Sequence, residues 1–335
     1  VNGVFAPSRA QVLAGTAAFA AALGGVRVPG SAAYPAPEKT SLKIGTAVNA
    51  MSFLPVYIAA AKTWKAQGLD VQIFTFRGDA EVAQALVGNS IDVSYQSLNG
   101  FINMISAGQP VMGFYGGFWQ ADFTWLAQPD IKHWSDVRGK QLGVATYGSL
   151  TDALTRYALK RNKIDADRDV QIVQAGSTPS SFQALKSNKL TATILSPPFS
   201  WEAQDAGFTV LGTQAADVSK QWPKHLIGAS TAFIAANPHT CEALLRGHVA
   251  AIRLARSNRD AVVPVLMEQL QLTKDYAERA LAVELPFYDE RGSMPEASMP
   301  VFWDITKQLG DVQSPWPETK YLDHRFINSF KAWAP

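Results

Sequence analysis

Gln141-Leu142-Gly143-Val144-Ala145-Thr146-Tyr147-Gly148-Ser149-Leu150-Thr151-Asp152 is the stretch on which the fold turns. A short apolar run gives way to a turn of Thr, Gly and Ser, and a helix opens with Asp152 in its first turn. A strand that breaks at small polar residues and restarts as a helix is half of a βαβ unit. The same order recurs along the chain. Residues 42–48 lead into Asn49-Ala50-Met51-Ser52, and residues 71–76 into Arg77-Gly78-Asp79. Residues 91–95 lead into Gln96-Ser97, and residues 170–174 into Gly176-Ser177-Thr178-Pro179. In an open α/β sheet such loops collect at the carboxyl ends of the strands, where ligands bind. Helix N-termini there present free N–H groups to anions. The pattern predicts an α/β receptor for a small polar or anionic molecule.

Outward from these loops, helices are expected to about Gln67, where Gly68 ends the first, then from Asp79 to Gly88 and from Gly100 to Gly108. Residues 111–118 read as a buried strand. The alternation argues for parallel or mixed sheets covered by helices. Composition shifts at Gln128-Pro129-Asp130, and a second lobe is expected from there. Residues 226–235 should return to the first lobe as a strand, and the chain turns helical from Pro238. The expected organisation is a leader over 1–33, a Pro-rich tether over 34–41, lobe one over 42–126, lobe two over 127–227, and lobe one again over 228–335, ending in a helical tail.

The 335 residues suffice for two cored lobes, and 47% hydrophobic with 17% charged residues fits a globular chain. Without residues 1–33, which hold Arg9, Arg27 and no acid, basic and acidic residues balance at 28 each. No Lys/Arg run stands out, so nucleic acid is not an expected partner. Arg9, an uncharged Ala/Leu/Val/Gly stretch and Ser31-Ala32-Ala33 read as a secretory leader cleaved after Ala33, by the general secretion route. Cys241 is the only cysteine, which leaves no intrachain disulfide and no cysteine metal site. The five histidines, His133, His225, His239, His248 and His324, have no metal-ligand spacing, and neither metal nor cofactor is expected.

Several segments resemble the solute-binding proteins of ABC importers for sulfonates, taurine, nitrate and thiamine precursors. They are Leu54-Pro55-Val56-Tyr57-Ile58-Ala59, Gln67-Gly68-Leu69-Asp70-Val71 and Ala85-Leu86-Val87-Gly88-Asn89-Ser90-Ile91-Asp92-Val93. Ala107-Gly108-Gln109-Pro110-Val111 and Ser135-Asp136-Val137-Arg138-Gly139-Lys140-Gln141-Leu142-Gly143-Val144 continue the match, in the family's order and spacing. The resemblance implies a two-lobed type II periplasmic-binding-protein fold with a cleft between the lobes. It also implies a periplasmic, monomeric receptor that delivers its solute to a membrane permease. Where relatives often have Trp-Glu-Pro at the hinge, this chain has Ser196-Pro197-Pro198, so a hinge carboxylate is missing.

Among candidate ligand contacts, Gly148, Ser149 and Thr151 stand first, because their loop offers hydroxyls and a helix N-terminus to an anion. Simple capping by Ser149 and Asp152 is the competing reading. Asn49, Met51, Ser52 and Phe53 follow the first strand, Gly78 and Asp79 the second, and Ser97 with Asn99 the third. Ser52 and Asp79 also suit plain N-caps. Arg77 is the strand-end cation that could pair an anion. Trp119 could stack on a ring, and Pro197, Pro198 and Phe199 suit a cleft floor. No nucleophile-elbow, P-loop or zinc-protease motif occurs. A binding protein without chemistry therefore stands ahead of a pyrimidine-forming enzyme on the same fold and of a periplasmic ligand sensor. An organic anion is the expected ligand, with nitrate and pyrimidine left open.

Overall fold

The computed structural model describes residues 34–308 and 310–335; the expected leader, residues 1–33, lies outside them. Within Pro35–Pro335 ten strands build two five-stranded sheets. β1 (Ser41–Thr46), β2 (Asp70–Thr75), β3 (Val93–Ser97) and β4 (Val111–Gln120) start the first sheet. β5 (Thr124–Ala127), β6 (Gln141–Val144), β7 (Gln171–Gln174), β8 (Ala192–Leu195) and β9 (Thr209–Thr213) form the second. β10 (Gln221–Ser230) returns to the first.

The two sheets share one plan. The first runs β2-β1-β3-β10-β4 and the second β7-β6-β8-β5-β9. In each, three strands pair in parallel, and one strand runs antiparallel between the third and the last. That antiparallel strand is the one out of chain order, so the chain crosses between sheets twice, at residues 121–123 and ahead of Gln221. Both crossings come earlier than the expected boundaries at 126/127 and 227/228. Thr124-Trp125-Leu126-Ala127 is wholly buried and already pairs with β8 and β9. Residues 226–235 divide: the strand stops at Ser230, whose hydroxyl accepts the Phe233 N–H and starts a helix over Thr231–Ala236. That cap is local chemistry which the apolar run masked.

The helices that frame the strand ends are α1 (Leu54–Ile58), α2 (Asp79–Val87) and α3 (Leu98–Ser106) on the first sheet. α4 (Leu150–Arg161), α5 (Thr178–Lys186) and α6 (Phe199–Asp205) serve the second. Ser97, Ser149 and Ser177 each accept the backbone N–H three residues on, so α3, α4 and α5 begin where short polar caps stand. Such a cap contributes about 1 kcal/mol. Further along lie α7 (Gln214–Asp217), α8 (Thr231–Ala236), α9 (Pro238–Ser257), α10 (Arg259–Leu270), α11 (Lys274–Glu284) and α12 (Met299–Gln308). α9 packs on α1 and seals the first lobe's core, where the Trp64 indole N–H donates to the Leu244 carbonyl at 2.9 Å.

Charge is buried at the crossings. Lys224 on β10 pairs with Asp122 in the first crossing, and the two side chains are 1% and 2% exposed. Glu284, at the end of α11, is fully buried, and neither of its carboxyl oxygens has a hydrogen-bond partner among the described residues. Burial, and after it the nearby Asp122 charge, hold its carboxyl well above the ordinary 4.5, against the pull of Lys224. The folded state therefore keeps this proton where the unfolded chain has released it. Stability must fall as pH rises from about 4.5 toward the folded pKa. Glu284→Gln is expected to flatten that slope and to leave the protein at least as stable at pH 7. Urea unfolding at pH 5 and pH 8 measures it, and an unchanged slope would show Glu284 to be ionised in the fold.

Candidate functional site

The carboxyl ends of β1, β2, β3 and β6 meet around one cavity. Ala47, Val48 and Phe53 line it from the segment after β1, Gly78 and Asp79 from the start of α2, and Ser97 from the end of β3. Ala145, Ser149, Leu150 and Thr151 line it from the second sheet, with Phe123 from the first crossing and His225 from β10. Its volume is about 40 Å³, room for roughly three waters. A solute the size of an aromatic ring must part the lobes to enter.

Asp79 organises the polar side. One carboxylate oxygen accepts the Ser97 N–H at 3.0 Å. The other accepts the Ser97 hydroxyl at 2.7 Å and the Leu150 N–H at 3.2 Å. One buried carboxylate thus ties the first sheet to the N-terminus of α4 in the second. Burial raises its carboxyl above the usual carboxylate range, against these three donors. Two other contacts cross the cleft. The Asn103 side-chain amide donates to the Gly148 carbonyl at 3.0 Å. The Tyr276 hydroxyl on α11 donates to Asp205 on α6 at 2.8 Å, with Trp201 and Tyr276 stacked at 6.4 Å. The arrangement is a closed one.

The other wall is aromatic. His225 stacks between Phe53, at 4.3 Å between ring centroids, and Phe118, at 5.7 Å. Phe118 in turn stacks on Tyr288 at 4.3 Å. Both His225 nitrogens are buried with no hydrogen-bond partner among the described residues. Burial, and secondarily the neighbouring Lys224 charge, push its imidazole well below 6.5, so the ring is neutral and offers one N–H and one lone pair.

Of the residues expected from sequence, Phe53, Gly78, Asp79, Ser97, Ser149 and Thr151 line this cavity. The others are engaged elsewhere. The Asn49 side-chain oxygen accepts the Tyr57 hydroxyl at 2.9 Å, Met51 is fully buried, and the Ser52 carbonyl accepts the Tyr288 hydroxyl at 2.8 Å. The Trp119 indole N–H donates to the Ser293 carbonyl at 2.8 Å instead of facing the cavity. Gly148 holds a left-handed φ of 74° at the turn into α4, its N–H bound to Asp152 at 2.8 Å. Pro197 and Pro198, joined by a cis peptide bond, are buried outside the lining. Arg77 is exposed and donates to Glu81 at 2.7 Å.

The expected anion seat at α4 is altered in two respects. The Ser149 N–H donates to the Thr146 carbonyl at 3.2 Å, and the Leu150 N–H is taken by Asp79. Sequence reasoning passed over His225 and Phe123. Spacing tests His225 only as a metal ligand, and Phe123 sits in a crossing too short to show a pattern. A larger groove of about 540 Å³ lies between α4, the turn at Ile164–Asp167 and α12. Gly148 and Asp152, at the turn from β6 into α4, line it as well, and Arg156 there is already paired with Asp152 at 2.9 Å and Asp167 at 2.7 Å.

Solved structures share this architecture. A Bordetella bronchiseptica RB50 protein aligns with a TM-score of 0.76 at 22% identity, over 88% of this chain and 99% of its own. The periplasmic nitrate-binding protein NrtA of Synechocystis PCC 6803 gives 0.73 at 16% identity, over 88% and 89%. The periplasmic aliphatic sulphonate-binding protein SsuA of Escherichia coli gives 0.62 at 16%, over 84% and 91%. The desulfurization enzyme DSZB also shares the fold, at 0.62 and 13% identity, over 88% and 99%. The fold is thus the two-lobed one of type II periplasmic binding proteins. In sequence, the binding protein YtlA of Bacillus subtilis (strain 168) is 27% identical over 141 residues, 40% of this chain and 42% of YtlA. The chain thus matches about two fifths of that curated relative's length. The model of the NMT1-like family matches residues 35–266, well over half of the chain. The chain belongs to the NMT1-like family.

Proposed function

We propose that the chain is the solute-binding component of an ABC importer, a periplasmic monomer that closes on a small molecule and presents it to a membrane permease. The observation that carries this reading is the cavity where the strand ends of both sheets meet. It is lined from both lobes, and Asp79 joins them across it. A ligand touching both lobes favours the closed form by its differential affinity, which is all that closure needs. No helix among the described residues is long and apolar enough to cross a membrane, which suits a carrier outside the bilayer.

The fold also serves an enzyme, so an enzymatic reading deserves its own test against these side chains. Cys241 is buried on α9 outside the cavity lining, and burial pushes its thiol up, away from nucleophile character. Among the described residues His225 has no hydrogen-bond partner to orient it as a base. Binding without chemistry remains the reading that these groups support. Thermal-shift screening of the purified protein against sulfonates, carboxylates, nitrate, amines and heteroaromatic rings tests it. A solute at 100 times its Kd should add about 2.7 kcal/mol of stability. The solute should come out of a long incubation chemically unchanged. Turnover of a bound solute would overturn the proposal.

A further inference from the structure

The two lobes also meet away from the cavity. Trp201 and Asp205 stand on α6, which packs on β5 and α5 of the second lobe. Tyr276 and Arg279 stand on α11, which packs on α10 and on the Met51–Phe53 turn of the first. None of these four residues lines the cavity at the strand ends. Residues three or four apart in an α-helix are neighbours, so each pair presents one face to the other helix.

The two faces fit each other. The Trp201 and Tyr276 rings stack at 6.4 Å between centroids, their planes 22° apart. The Arg279 guanidinium carbon lies 4.0 Å from the Trp201 ring centroid, so one indole meets both side chains of α11. The Tyr276 hydroxyl donates to Asp205 at 2.8 Å. Glu202 and Asp205 on α6 and Arg279 on α11 all act on that hydroxyl, so opposite charges meet between the helices. Trp201 and Tyr276 are half-buried, while Asp205 and Arg279 are exposed. A ring stack, a cation over a ring and a hydrogen bond each move an equilibrium by roughly two- to tenfold. Contacts of that size bias an open–closed equilibrium without locking it.

We propose that Trp201, Asp205, Tyr276 and Arg279 form a latch that draws the lobes together without solute and sets how much of the empty protein is closed. This rests on the lobes opening and closing as the proposed function requires. Solute affinity scales with the share of protein already in the binding-competent state. The latch therefore tunes affinity through residues outside the cavity lining.

Small-angle scattering of the purified protein, dialysed free of small molecules, tests the latch with no solute present. Wild type should be compact. Trp201→Ala removes the stack and the ring beneath the cation, and the open-to-closed ratio should rise roughly tenfold, giving a more extended particle. Tyr276→Phe with Arg279→Met keeps the bulk of both side chains and loses the hydroxyl and the charge. It should fold as wild type does and raise the ratio roughly tenfold as well. Far-UV circular dichroism separates opening from unfolding, and if Trp201→Ala does not fold the double variant decides. A wild type already extended when empty would overturn the latch, and so would folded variants as compact as wild type. The solute screen plays no part in this measurement, so a failed latch and a failed receptor reading are told apart.

Discussion

Gly78→Ala should leave both lobes folded and cost the protein its closed state. The Gly78 backbone is extended, with φ 163° and ψ 174°, a conformation open to any residue, so the methyl brings no backbone strain. What it brings is a wedge. A Cβ there would stand 2.4 Å from the Thr146 hydroxyl oxygen, 2.6 Å from its methyl carbon and 3.0 Å from its Cβ. Gly78 precedes α2 on the first sheet and Thr146 follows β6 on the second, so the clash falls across the cleft. Thr146 is buried and β-branched, and its side chain has little freedom to turn away. Overpacking of this kind costs about 1–3 kcal/mol in a core that cannot move. Here the lobes can part instead, and the cost is taken from closure. Affinity for the solute found by screening should drop about 10- to 100-fold. Small-angle scattering with solute present should show a more extended particle than wild type. Thr146→Ala in the same chain should restore both. Wild-type affinity in Gly78→Ala alone would mean that ligand is held in an arrangement other than this closed one.

Lys224→Met should destabilise the fold by about 3–5 kcal/mol, because it leaves Asp122 buried and unpaired. Both partners are almost wholly inaccessible, and the ammonium also lies over the rings of Phe123 and Phe118, at 4.6 and 5.3 Å from their centroids. Glu284 gives Asp122 no hydrogen bond, since neither of its carboxyl oxygens has a partner among the described residues. Removing both charges should be far milder. Lys224→Met with Asp122→Leu is expected to recover most of the loss, since a buried ion pair and an apolar replacement are often close in stability. Urea unfolding of the single and double variants gives the comparison. A single variant within 1 kcal/mol of wild type would mean that Asp122 is protonated or hydrated in the fold. The pair joins the residues at the two crossings, so the double variant should also move more freely between open and closed forms.

The parts of this protein that were legible in the sequence are those decided within a few residues. Ser97, Ser149 and Ser177 announce α3, α4 and α5 because a cap bonds the backbone three residues on. The apolar runs before them announce β3, β6 and β7, and their repetition announces the α/β class. β5 escaped notice because four residues buried on every side have no alternation to read. Half of the candidate site was visible in the same way, since Phe53, Gly78, Asp79, Ser97, Ser149 and Thr151 all belong to strand-to-helix turns.

The sequence by itself thus determined the alternating elements, the caps and the loops that gather at the strand ends. Only the tertiary structure decided what those loops hold. Asp79 reads as an N-cap in one dimension, yet its carboxylate is committed to Ser97, 18 residues away, and to Leu150, 71 residues away. His225 reads as a stray histidine until β10 sets it between Phe53 and Phe118. The physical reason is the same for both. A side chain's charge and partners follow from which groups share its burial, and here two crossings between sheets bring those groups together from distant parts of the chain.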